Sequence, residues 1–183
     1  MVYKFVVLSD EVDDFRREIE IDAECTFLDL NNILLKTCKY KSDLMTEFYI
    51  CDKFWDKEQM ISMVDLNDDP KAEPTPLMDK THIVDYISKE QAEKNAKVMF
   101  LFDTMCERCL YMEVREVTEH AHQLDPKVIL EKGKAPKQEG DIDAMFKGLS
   151  DETNAMYGDE DYDLDELDMD GFQDLDDIES AGF

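Results

Sequence analysis

Cys106-Glu107-Arg108-Cys109 is the one stretch of this chain whose spacing suits a metal or a redox dithiol. Two thiolates on a turn can share a zinc ion, yet a closed structural site needs four ligands. No second cysteine pair stands at a matching distance, and His82, His120 and His122 are scattered rather than clustered. Nor does a helix follow the pair to lower a thiol pKa, as redox motifs require. The expectation is incidental hairpin cysteines, no metal and no cofactor, with Cys106 and Cys109 as the alternative ligands.

Asp103, Glu107 and Arg108 crowd the same turn, and Glu47 opens an earlier strand. Paired carboxylates can do acid–base work when burial drives their pKa values apart. A nucleophile or base with an orienting partner is missing, so these groups read as turn acids and a strand-end ion pair, a weak interaction when exposed. Further on, Glu166 to Asp177 approximates a calcium-binding loop, with acids at the first, third, fifth and ninth positions and Gly171 sixth. It departs in starting on Glu166, ending on Asp177 and placing Gln173 where an apolar residue belongs. A segment so rich in acids matches such a pattern by chance.

The charge balance sets the limits on partners. Across 183 residues, 46 Asp and Glu face 20 Lys and Arg, a formal charge of −26. Affinity for nucleic acid or an anionic membrane rests on Lys and Arg neutralising phosphates, so direct nucleic acid and membrane partners are not expected. A basic protein is the natural alternative. The opening Met1–Asp10 stretch has too short an apolar run for a secretory leader, and no run approaches a bilayer span. Five scattered cysteines suit reduced thiols, which points to a cytoplasmic protein.

The elements that must position these groups follow from periodicity. Residues 2–8 read as a buried strand, and Phe15, Ile19 and Ile21 alternate with Arg16, Glu18 and Glu20 in a second, forming a hairpin. Thr26 and Asp29 open a helix whose stripe is Phe27, Leu30, Ile33, Leu34 and Cys38, with Asn31, Asn32 and Lys36 away from it and an end near Lys39–Lys41. Glu47–Cys51 and Met60–Met63 are further strands, separated by a loop with Phe54 and Trp55. Residues 65–80 are turn chemistry, and Thr81–Ile87 forms a brief helix. Lys97–Phe102 is a central strand, hairpin-paired with Leu110–Val117. This order predicts an α+β fold: a mixed sheet with one long helix packed across it, β-grasp-like, with an added C-terminal hairpin.

Beyond residue 125 the composition changes. Lys127, Lys132, Lys134 and Lys137 against Glu131 make a basic island within Pro126–Gln138. Asp151–Phe183 contains no Lys or Arg and sets Tyr162, Leu164, Leu167, Met169 and Phe172 singly among acids. Such a segment repels itself and is expected to be disordered when alone.

With the segments in place, the chain resembles the plasmid pRiA ORF-three-like family. The matching pieces are Tyr3-Lys4-Phe5, Arg17-Glu18-Ile19-Glu20-Ile21, Thr26-Phe27-Leu28-Asp29-Leu30, Leu44-Met45-Thr46-Glu47-Phe48-Tyr49-Ile50 and Phe100-Leu101-Phe102-Asp103, closed by Gly133-Lys134-Ala135-Pro136. They span residues 1–138 in the family's order. The resemblance implies a compact α+β domain without a settled activity. The turn Phe102–Arg108 departs from the family's usual pattern, lacking its glycine, tryptophan and histidine, and the family's closing cysteines are missing. A site built from those groups is therefore not expected here.

The expected organisation is an α+β domain over 1–138 and an acidic tail over 139–183. The expected function is a non-enzymatic interaction module whose tail contacts a basic protein or the chain's own basic island. The alternative is a metal-dependent or acid/base enzyme using the turn Asp103–Cys109. The binding candidates are Glu47, Phe48, Asp103, Glu107, Arg108, Lys132, Lys134, Tyr162 and Phe172.

Overall fold

Val2–Leu8 forms β1, with Tyr3, Phe5 and Val7 wholly buried and Lys4 only half-covered. It pairs antiparallel with β2 (Arg16–Asp22), placing Phe5 opposite Ile19 and Tyr3 opposite Ile21. Helix α1 (Phe27–Cys38) follows for the reason its sequence gives. Asp29 N–H donates to Thr26 Oγ1 at 3.2 Å, and Thr26 N–H donates to the Asp29 carboxylate at 2.9 Å. Two orphan amides of the first turn are thus satisfied reciprocally. Lys39 closes the helix in the left-handed region, at φ 59. Thr26→Ala is expected to cost about 1 kcal/mol of stability. An unchanged urea midpoint would show that the cap is redundant.

The computed structural model describes residues 1–65, 71, 73–123 and 125–140. After α1 come β3 (Glu47–Cys51), β4 (Lys57–Ser62), the short helices α2 (Ile83–Tyr86) and α3 (Lys89–Glu93), β5 (Lys97–Asp103), β6 (Arg108–Thr118) and β7 (Lys127–Lys132). The strands form one sheet in the order β4-β3-β5-β6-β1-β2-β7. Every pairing between named strands is antiparallel; among the described residues only the isolated bridge Ser62–Leu77 runs parallel.

Several expectations change with this topology. The sheet is antiparallel rather than mixed, because consecutive strands pair as hairpins. β1 then joins the distant β6 in the same antiparallel sense. The hairpin β5–β6 is no C-terminal addition but the middle of the sheet. β4 begins at Lys57, earlier than Met60, and α3 was not anticipated. Half of the basic island is a strand, β7, paired with the open side of β2. Asn31 of α1 is buried, not solvent-facing, and its Oδ1 accepts from Thr46 Oγ1 at 2.9 Å.

One face of the sheet carries the main core. Phe48 sits between Phe27 and Phe100 with ring centroids 5.3 and 5.0 Å away. Leu30, Leu34 and Leu35 of α1, Ile83 of α2 and Ala92 of α3 join the same cluster. Each fully buried large side chain stabilises by roughly 2 kcal/mol relative to exposure. The opposite face holds a smaller cluster of Cys51, Met99, Leu101 and Cys109, bordered by Tyr49, Trp55 and Tyr111. Trp55 meets Tyr111 edge-on at 5.0 Å, and Lys97 Nζ lies 4.6 Å from the Trp55 ring. Among the described residues no helix is long and apolar enough to cross a membrane. Of the proposed tail only Glu139 and Gly140 belong to the described residues; the rest, with Tyr162, Phe172 and the calcium-loop pattern, lies outside them.

Candidate functional site

Two arginines organise the surface on which the sequence candidates converge. Arg17 occupies the apolar phase of β2, among Phe15, Ile19 and Ile21, and is 4% exposed. Its Nε donates to Thr37 Oγ1 of α1 at 3.0 Å. Its Nη1 donates to the Arg16 carbonyl at 2.9 Å and the Lys132 carbonyl at 2.6 Å, and Nη2 donates to the Gly133 carbonyl at 3.2 Å. Thr37 passes the contact on, donating to Glu131 Oε1 at 2.7 Å. The guanidinium also sits 4.6 Å from the Phe15 ring, so a buried cation has donors matched to acceptors and a π-face.

Arg108, at the start of β6, does the same further along. Nε and Nη2 donate to the two Glu11 oxygens at 2.8 and 2.7 Å. Nη2 also donates to the Lys137 carbonyl at 2.7 Å, and Nη1 reaches Asp103 Oδ2 at 3.4 Å. Asp103 Oδ1 accepts from Cys106 N–H at 3.1 Å, and Oδ2 from Gly140 N–H at 3.0 Å. Burial alone would raise the Asp103 carboxyl. The two backbone N–H groups and the guanidinium outweigh it and hold the carboxyl below its ordinary value.

Between these anchors, residues 131–140 run as a strap over α1 and the β5–β6 turn. Tyr40 Oη donates to the Pro136 carbonyl at 2.9 Å. Gln138 imitates a strand partner, its Oε1 accepting from Lys41 N–H at 2.6 Å and its Nε2 donating to the Lys41 carbonyl at 2.8 Å. The motif Gly133-Lys134-Ala135-Pro136 is thus the middle of a fastened segment.

The structure sets Asp103 and Arg108 of that turn against the stretch that follows the basic strand, a meeting with the island the sequence did not anticipate. Glu107 stands apart, exposed on the turn with φ 51. Glu47 is buried on the opposite face, accepting from Tyr49 Oη at 3.1 Å. Phe48 is a core residue rather than a presented one. Lys132 lies 3.6 Å from Asp14, and Lys134 is exposed. Burial, with the Asp103 carboxylate beside it, pushes the Cys106 thiol up, and burial does the same to Cys109. Neither favours a thiolate, the form that binds metal or attacks. Among the described residues no group of three His, Cys, Asp or Glu is placed to hold a metal ion. Arg17, Tyr40 and Gln138 were missed by sequence reasoning. A charged residue in the buried phase of an alternating strand was the available signal for Arg17.

Chemically this arrangement anchors. A carboxylate held below its usual pKa and saturated with donors is a poor general base. It also sets a pH dependence. Because the folded Asp103 titrates below its ordinary 3.8, its contribution is complete above that value and drains away as pH falls through the folded pKa. Asp103→Asn should therefore lose stability relative to the parent at pH 7 and converge on it in acid. A difference that stays constant down to pH 2 would contradict this.

No protein-family model matches this chain, and no curated protein matches it. Among solved structures it is similar to the crystal structure of a protein of unknown function from Methanosarcina mazei Go1. The two are 16% identical with a TM-score of 0.58, over 87% of this chain and 90% of that one. That likeness concerns the fold alone.

Proposed function

We propose that this protein is a non-enzymatic interaction module of the cytoplasm. In this reading its acidic tail, residues 139–183, contacts a basic protein or the chain's own basic island. One observation carries the reading: the groups best suited to chemistry, Asp103 and Arg108, are bonded into the strap. The same bonds fix the backbone of the basic island, so its lysines are displayed from an ordered base. Lys127, Lys134 and Lys137 are exposed and form no ion pair among the described residues. An acidic segment meeting them gains Coulomb attraction that salt weakens beyond about 8 Å at physiological ionic strength.

Kinship with the plasmid pRiA ORF-three-like family is part of the same proposal. It is supported by the order of the motifs and by the use of Gly133–Pro136 as a fastened closing stretch. The β-grasp-like grouping rests on the β1–β2 hairpin followed at once by α1. Affinity purification of the full chain and of a form lacking 141–183, which keeps the strap whole, at low and high salt, tests the functional reading. Equal capture of partners by both forms, with the same salt response, would sink it.

A further inference from the structure

We infer that the outer edge of β7 takes up an extended acidic segment of a partner protein as an eighth strand. β7 pairs with β2 on one side only and is the last strand of the sheet among the described residues. Its other side presents unpaired backbone donors and acceptors, the template used in strand addition. Ile129 and Leu130 are 45% and 38% exposed there, although most large apolar residues of this domain are buried. In a chain of formal charge −26, the strand is bracketed by Lys127 and Lys132, with Lys134 just beyond.

The register says what would fit. Lys127, Leu130 and Lys132 pair with Glu20, Glu18 and Arg16 and so share their face, while Val128 and Glu131 face the core side with Ile19 and Arg17. Ile129 is the extra residue of a bulge. Edge lysines and bulges commonly guard against pairing with like strands. They do so here, because two antiparallel copies centred on Ile129 and Leu130 would set Lys127 against Lys132. That same guard is complementary to a strand whose carboxylates fall opposite the lysines and whose apolar residues fall opposite Leu130. The occupant is therefore an acidic strand that alternates carboxylates with aliphatic or aromatic residues, not a second copy. The β7 backbone is fixed beforehand by the Arg17 bonds to Lys132 and Gly133, which lowers the ordering cost of binding.

This proposal goes with the form of the reading above in which the tail contacts a basic protein, leaving the β7 edge to a partner, and its test is separate. The probe is a blocked peptide alternating aspartate with valine, titrated into the isotopically labelled full chain at low salt. Amide shifts are expected over β7 and its partner β2, and K127E/K132E together should weaken binding at least tenfold. Two further peptides, N-methylated on alternate residues, distinguish strand pairing from bulk charge attraction. One should bind normally and the other should lose at least tenfold, since only one set of N–H groups faces β7. Equal behaviour of the two N-methylated peptides, or shifts spread over every exposed lysine, would overturn the proposal. So would the absence of any β7 response, or an edge occupied through self-association or by the chain's own acidic residues.

Discussion

Gly133→Ala is expected to lower the unfolding free energy by about 3 kcal/mol, a large fraction of what a domain of this size possesses. The residue sits at φ +68, where any L side chain is strained by roughly 1–2 kcal/mol. An added Cβ would also lie 2.4 Å from the Asp14 carbonyl oxygen, 2.7 Å from its carbon and 3.0 Å from Phe15 N. All three are backbone atoms, which cannot rotate away, so the strap or the β1–β2 turn must shift at a cost of about 1–3 kcal/mol. Gly140→Ala is the matched control. Its added Cβ would meet the Cys106 Sγ at 2.9 Å, which can rotate away, and Asp103 Oδ2 at 3.0 Å, which need yield only a few tenths of an ångström and is no backbone atom. Urea unfolding of the two variants should separate them by about 2 kcal/mol. Equal effects would mean that the strap is not seated against Asp14.

Arg17→Met should be comparably damaging, at roughly 3 kcal/mol. The substitution keeps an apolar stem but removes the donors to Thr37, Lys132 and Gly133. Their oxygens would be left in a poorly hydrated place, and hydrogen bonds to a charged donor are the stronger kind. Arg17→Lys keeps the charge without the planar fork and should fall between the parent and methionine. Amide exchange adds a readout that a general core defect would not give. Protection at residues 131–140 should drop in Arg17→Met before that of β5 and β6 does. Uniform loss across the sheet would refute a clamp local to the strap.

How much of this was readable in advance depends on the range of the interaction. α1 was legible because its cap, stripe and stop lie within fourteen residues, Thr26 to Lys39, and are decided locally. β1, β2 and β5 were legible from their alternation or their unbroken apolar runs. β7 was not: Val128, Ile129 and Leu130 stand between lysines and bury little, so their strand conformation comes from the edge of β2. Asn31 read as a solvent residue because its partner, Thr46, is fifteen positions away. The turn between β5 and β6 was expected at Asp103–Arg108, where it lies, but its partners were not. Glu11, Lys137 and Gly140, which complete it, arrive from two distant parts of the chain.

The sheet order has a consequence for how the chain comes to be made. β1 leaves the ribosome just ahead of β2 and can zip with it within moments, yet its second neighbour is Arg108–Thr118. Until translation has delivered roughly a hundred more residues, Val2–Leu8 keeps one flank unpaired, although Tyr3, Phe5 and Val7 are wholly buried in the finished sheet. Contacts of such separation slow folding and lengthen exposure to aggregation. A nascent chain halted before β6 should for that reason be a chaperone client, and one released after residue 140 should not.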